Sequence, residues 1–310
     1  MRAAYKQRVT AKRRRLYDTS IKVILIIVSS FSILVLGAVA VFLLINSFPA
    51  FFLIDQVQFF TGTVWDPTNP IEPLFGMIPL LTATLVVTLI SSIIAIPIGM
   101  GATIYLSEIA SPTVRKIMKP ATEVLAGIPS VVLGFFAMTV FAKFLWENFM
   151  PWWQPDDYLN MFVGAVFLAI MMIPIMVSLS EDAVNSVPRS LKEASLALGM
   201  TRWETMWKVI IPSARPGIVA AIMLSIGRAV GETMVVVMAT GNSPTFTFNP
   251  FSSGQPITST IAIEMGEVNQ VGTDPHFYAL FELGLLLFAI TFALNFVADW
   301  AMRRYTEKYE

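Results

Sequence analysis

Two residues set the chemical question for this chain. Arg228 and Glu232 sit near the middle of the apolar run ARPGIVAAIMLSIGRAVGETMVVVMATG. On insertion scales each charge costs roughly 2.5–3.5 kcal/mol at mid-membrane, so keeping both needs a reason. Arginine presents a planar fork of donors that suits an oxyanion. A carboxylate one helical turn further on would temper that charge, so that an anion binds without being trapped. The spacing puts both on one face of a continuous helix, and Gly227 and Gly231 let another helix approach there. Thr233 adds a hydroxyl, either to a path or to its own helix. The competing reading is an ion pair that only fastens two helices. Intramembrane charges tend to mark pathways, which favours the first.

Membrane spans must position these residues. Of 310 residues, 55% are hydrophobic and 14% charged, far from the balance of a soluble domain. Apolar runs that reach the roughly 18-residue threshold lie at 22–45, 76–105, 121–145, 159–180, 214–240 and 277–301. They predict an all-α membrane protein with six transmembrane helices. Pro97 lies inside the long second run and predicts a kink there. Residues 46–63 are apolar but broken by Pro49 and Asp55, and read as an interfacial segment. Ala38-Val39-Ala40 resembles a cleavage site, but the first run exceeds the roughly 7–15 residues of a signal-peptide core and reads as an uncleaved helix. The chain divides into a basic N-terminal segment (1–21), a first helix and outer loop (22–75), a five-helix core (76–302) and a tail (303–310).

Charge fixes the orientation. The 21 Lys and Arg balance 21 Asp and Glu, but they are unevenly placed. Basic residues crowd the first fifteen positions, the 115–119 stretch, the 189–208 stretch and the C-terminus. The loops at 46–75, 146–158 and 241–276 have none. Both termini are therefore expected in the cytoplasm. The basic N-terminus precedes a span, so it reads as a topology signal and not as a nucleic-acid arm. The outer loops carry acids, among them Asp55, Asp66, Glu264 and Asp274, whose field would repel a free anion. Trp65, Trp146, Trp152 and Trp153 fit an aromatic belt at that boundary. Lys143, Glu123, Glu282 and Asp299 lie near span ends, where bland roles suffice.

Several chemistries are excluded. With 0 Cys and 1 His, no disulfide, thiolate metal site or histidine cluster can form. His276 reads as a solvated loop residue. There is no GxxxxGK[ST] string, so the chain has no nucleotide-binding loop of its own. Nothing calls for a cofactor.

The remaining signal is the stretch 190–212. Ser190 with Glu193, and Thr201 with Glu204, have capping-box spacing. Leu191, Ala194 and Leu198 form one apolar face; Trp203, Met206, Trp207 and Ile210 form another. Gly199 can take the left-handed conformation between them, and Pro212 ends the second helix. Lys192, Arg202 and Lys208 fall on the wet side. Such an element either docks a cytoplasmic partner or anchors a hairpin in lipid headgroups, and spacing leaves both open. Further up the chain, Gly127 and Pro129 predict a helix start at the cytoplasmic edge, with Ser130 as a lining residue.

Glu193-Ala194-Ser195, Gly199 and Ile210-Ile211-Pro212 together resemble the EAA loop of ABC importer permeases. Ser195 stands where the family has a second alanine, and Ile211 where it has leucine. The resemblance implies the type I importer permease architecture. It makes the loop, with Glu193, Ala194, Ser195, Gly199 and Pro212, a coupling helix seated in an ATPase cleft. Gly127 to Val132, Gly227 to Met234, Gly241-Asn242, Leu283-Gly284 and Asn295 are similar to the PstC-type permease of the phosphate importer. That likeness covers most of residues 74–304. It implies an inner-membrane transport subunit for inorganic phosphate, not an enzyme. Its expected partners are a second related permease, a pair of ATPase subunits and an extracytoplasmic phosphate-binding protein. Arg228, Glu232, Thr233 and Ser130 would then line the translocation path. The alternatives are a permease for another oxyanion, such as molybdate or sulfate, or a membrane-embedded enzyme or scaffold.

Overall fold

The computed structural model describes residues 2–149, 158–268 and 274–305. Among these, six helices are long and apolar enough to cross a membrane: Ser20–Leu53, Ile78–Ile109, Ser130–Asn148, Met161–Asn185, Arg202–Val230 and Pro275–Trp300. We number them spans one to six.

Three boundaries differ from those read in the sequence. Span three starts at Ser130, not near 121. Residues 112–126 form a separate helix, Pro112–Ala126, which buries none of its side chains. Ser111 caps it by accepting from the amide of Val114. The predicted start after Gly127 and Pro129 is found: Pro129 takes an extended conformation just ahead of Ser130. Span five begins earlier than expected, at Arg202, because Pro212 does not stop it. A π-helical turn at Met206–Ile210 lets the amide of Ile211 bond the carbonyl of Met206. Pro212, which lacks an N–H, then falls in the first turn of Ile211–Val230, where none is needed. The third difference is at the other end: span five stops at Val230 and a new helix, Met234–Ala239, follows. Span two runs unbroken past Pro97 and ends in its own π-helical turn, Tyr105–Ile109.

Spans two and four form the most extensive helix pair; span five packs on four, span six on five, and span one on six. Lipid is as apolar as leucine, so association here rests on close fit, not on burial of apolar area. Small residues supply that fit: Ala83 and Ala95 of span two meet Ala165 and Ala169 of span four in one core with Ala229. A Cβ placed on Gly99 would come within 2.9 Å of Met176 Sδ, so the bare glycine backbone of span two makes room for the Met176 side chain of span four. Several buried hydroxyls bond carbonyls of their own helices, as Thr103 Oγ1 does with Gly99 O at 2.9 Å. That satisfies them without a partner helix. Span one is peripheral. It reaches span six through Phe42 and Phe281, whose ring centres are 5.6 Å apart.

The end of the bundle opposite the 186–202 loop is more packed than expected. Residues 46–63 include the short helices Ala50–Leu53 and Gln56–Thr61, the second capped by the Asp55 carboxylate. Ala50 and Phe59 are fully buried against Leu280 and Leu283, so this segment is part of the core and not merely interfacial. A two-residue hairpin pairs Trp65–Asp66 with Leu74–Phe75 antiparallel. Trp65 and Trp146 are buried, which removes both from the predicted belt; Trp152 and Trp153 lie outside the described residues. Glu264 is buried too and accepts from Trp65 Nε1 and Gln255 Nε2, each at 3.0 Å. His276 Nε2 lies 2.8 Å from its other oxygen. The single histidine is thus a packed network member, not a solvated loop residue, and Glu264 drops out of the exposed acidic field.

A broken helix and a two-armed loop

The break in span five decides where the intramembrane charges go. Gly231 caps the helix, its amide bonding Ala229 O. The amide of Glu232 bonds the same carbonyl at 3.2 Å. Thr233 then departs from helical geometry at φ −113°, and the amide of Val237 bonds Thr233 O to start the next helix. Arg228 therefore occupies the last turn of span five while Glu232 lies in the break. They are not one turn apart on a continuous helix, and among the described residues Arg228 makes no ion pair. The expected mutual neutralisation is absent. A cation in a helix's last turn is instead favoured by the negative end of the helix dipole.

Arg228 is exposed on this chain, and Glu232 and Thr233 are half-buried. The Glu232 carbonyl accepts from Thr258 Oγ1 at 2.7 Å, which ties the break to the helix Ile257–Glu264. Thr233 Oγ1 is 3.5 Å from Gly231 O, so its hydroxyl turns to its own backbone. Gly227 does face another helix: a Cβ there would lie 3.7 Å from Asn295 Oδ1 of span six. Gly231 does not. It is exposed, and a Cβ would meet only the carbonyls of Arg228 and Gly227. Helix Met234–Ala239 packs on the first turns of span three, where a Cβ on Gly134 would sit 3.2 Å from Met234 O. Ser130 opens that span, but among the described residues no hydrogen bond joins it to Arg228, Glu232 or Thr233.

The far end of Met234–Ala239 is locked by a turn with two successive left-handed residues, Gly241 at φ 87° and Asn242 at φ 54°. A Cβ on Gly241 would fall 2.3 Å from Ser253 Oγ, so only glycine fits. Asn242 Nδ2 donates to Val237 O at 2.6 Å, and its Oδ1 accepts from Ser259 Oγ. Side-chain bonds thus hold the backbone at Glu232 and in the short helix that follows it.

At the other end of the bundle the 190–212 element has two arms. The first is the helix Arg189–Ala197. Pro188, with φ −57°, starts it ahead of Ser190, so the expected Ser190–Glu193 box does not form. Gly199 at φ +82° ends it; Gly199 N bonds Leu196 O and Met200 N bonds Ser195 O. These are the paired bonds of a Schellman stop. The second expected box is present, with Glu204 N on Thr201 Oγ1 at 3.2 Å and Thr201 N on Glu204 Oε2 at 3.0 Å. The second apolar stripe divides. Met206 and Ile210 are buried, while Trp203 and Trp207 are exposed and touch edge-on with centres 5.6 Å apart. Leu198 at the tip is 84% exposed.

Within the motif, Glu193 and Ala194 face out, whereas Ser195 is buried. Its hydroxyl meets Thr205 Oγ1 at 3.0 Å, joining the two arms. Lys192, read as solvated, is paired with Glu108 at the end of span two. Arg115 donates to the carbonyls of Leu106 (2.8 Å) and Ser107 (2.6 Å) in that same turn. Lys119 pairs with the buried Glu181 of span four at 3.5 Å. In the sequence Arg115 and Lys119 showed only as topology markers; the partners of Lys192 and Lys119 lie far along the chain, beyond the reach of any local spacing rule.

The profile of the family described as "binding-protein-dependent transport system inner membrane component" matches residues 95–309. The chain belongs to that family. As such an inner membrane component it is a multi-pass transport subunit, not an enzyme. A probable ABC transporter permease protein, YqgH of Bacillus subtilis, is 33% identical over 82% of this chain and 81% of its own length. A phosphate transport system permease protein PstC of Mesorhizobium japonicum is 33% identical over 88% of this chain and 86% of its own. Another PstC, of Pasteurella multocida, is 34% identical over 90% and 89%. In three dimensions this inner membrane component is similar to a chain of the MetNI methionine ABC transporter (TM-score 0.57, 20% identity, 73% of this chain and 94% of that one). It is also similar to a chain of a bacterial alginate ABC transporter (TM-score 0.55, 14% identity, 74% and 79%). The fold is that of a type I importer permease.

Proposed function

We propose that this chain is a permease subunit of an ATP-driven importer for inorganic phosphate. The observation that carries the substrate is its likeness, at about a third identity and nearly full length, to proteins named as phosphate transport system permeases. The string from Gly227 to Met234 supports it, because it places an arginine fork at a helix break inside the membrane. Arg228 offers donors to the anion, with Glu232, Thr233 and Ser130 along the same path. Both termini and the 190–212 loop lie in the cytoplasm, in accord with the distribution of Lys and Arg. Leu198, Trp203 and Trp207 give the loop an exposed apolar surface of the kind an ATPase cleft covers. A second, related permease completes the path on the exposed side of Arg228. A pair of ATPase subunits drives the loop, and an extracytoplasmic phosphate-binding protein delivers the anion. Residues 76–302 form the permease core.

The test of substrate is phosphate uptake by cells lacking this chain, with sulfate and molybdate uptake as controls. Loss of sulfate or molybdate uptake with phosphate uptake intact would overturn the assignment. The test of path is phosphate uptake per assembled complex for Arg228→Gln, Arg228→Lys and Glu232→Gln. The expected result is normal assembly with uptake lost in Arg228→Gln and lowered in Arg228→Lys, which keeps charge but not the fork. Full uptake by assembled Arg228→Gln would refute the path.

A further inference from the structure

Helix Arg189–Ala197 is fastened to the membrane bundle at two points, and each lies at a π-helical turn. On one side the buried Ser195 hydroxyl bonds Thr205 Oγ1, and Thr205 directly precedes the turn Met206–Ile210 of span five. On the other side Lys192 pairs with Glu108, which lies inside the turn Tyr105–Ile109 of span two. The Glu108 side chain is only 13% exposed. A carboxylate so nearly buried needs a charge partner, and Lys192 supplies it from a different element. The pairs Lys208–Glu204 and Arg303–Asp299 differ in kind: each is exposed, spans one helical turn and joins nothing to anything else. A π turn inserts an extra residue into the hydrogen-bond ladder and interrupts the stiffness of the helix. Both spans that touch the loop carry such a turn where they touch it. Span two in turn packs along span four, and span four against span five.

We propose that the Lys192–Glu108 pair is a strut that transmits movement of the coupling loop to span two, while Ser195 and Thr205 transmit it to span five. Lys192 is a positioning residue, and the two spans turn together because one short helix holds both. The inference rests on the reading that the loop docks an ATPase. Without the strut the loop would drive span five alone, leaving span two free to lag at its π turn. ATP would then be hydrolysed with the two halves of the core out of step.

The experiment uses the complete complex with all its subunits in proteoliposomes. It reads three quantities: ATPase subunits retained, ATP hydrolysed, and inorganic phosphate imported per ATP. The variants are Lys192→Gln, Glu108→Gln and the exchange Lys192→Glu with Glu108→Lys. Both single variants should keep their ATPase subunits and their hydrolysis, while phosphate imported per ATP falls by about threefold or more. The exchange should recover most of that ratio, which a residue with a merely structural role would not predict. An unchanged ratio in Lys192→Gln, or an exchange no better than the singles, overturns the strut. Loss of ATPase subunits from Lys192→Gln also overturns it, because the lysine would then be a docking residue. A parallel Trp203→Ala variant separates the two readings: if it retains its ATPase subunits in full, the docking reading fails whatever Lys192 shows.

Discussion

Replacing Gly199 separates backbone strain from lack of space. A Cβ at this position meets nothing within 4 Å, so no side chain is excluded by a clash within the chain. The backbone is the constraint: at φ +82° an ordinary L residue costs about 1–2 kcal/mol. That is roughly a 5–30-fold shift away from the observed turn. Asparagine tolerates the left-handed region, alanine less so, and a β-branched residue least. The series Gly199→Asn, Gly199→Ala and Gly199→Val should therefore lose coupled transport in that order. Gly199→Asn should stay near the original, Gly199→Ala should fall about fivefold, and Gly199→Val further. The assay is phosphate uptake against ATP hydrolysis in the reconstituted complex, normalised to assembled subunits. If Gly199→Asn, the larger side chain, is worse than Gly199→Ala, docking space and not backbone strain governs the position. If Gly199→Val transports normally, the Schellman stop has no part in coupling.

Other outcomes follow from the same geometry. Ser195→Ala leaves the buried Thr205 hydroxyl without its cross-arm partner and should cost about 1–3 kcal/mol of stability, while adding Thr205→Val should recover much of it; an additive double variant would refute the link. Glu264→Ala strips the acceptor from Trp65, Gln255 and His276, and should lower the complex's melting temperature well beyond the exposed control Glu267→Ala. Reporter fusions after residues 118 and 205 should read as cytoplasmic and one after 255 as external; one inverted fusion would sink the orientation.

The spans were legible because hydropathy over some twenty residues is a strong, local signal. Their ends were less so. Residues 121–145 read as one run, although the cations Arg115, Lys116 and Lys119 pull the preceding stretch into a surface helix and Pro129 ends its claim on the span. Residues 214–240 likewise read as one helix, since Gly231, Glu232 and Thr233 barely dent an apolar average. The Arg228–Glu232 pairing fell with that helix. Gly199 and the Thr201–Glu204 box were legible because capping is decided within a few residues. Ser190 misled because the proline two places before it took the start. The partners of Lys192, Lys119 and His276 were illegible for a plainer reason: each pair joins a short helix outside the spans to a span packed against it.

The break at Gly231 also bears on how fast a bound anion can leave. Sequence spacing assigned the tempering of Arg228 to a carboxylate; the structure places it in the last turn of a helix, whose terminus carries the equivalent of about half a negative charge. A dipole end differs from a carboxylate in that it cannot be protonated, and it does not rotate away. An anion in front of Arg228 would meet a fixed fractional charge over the whole physiological pH range. Every 1.4 kcal/mol removed from such a well shortens residence by about tenfold. Fold geometry would then contribute a fixed part of the dwell time at this step.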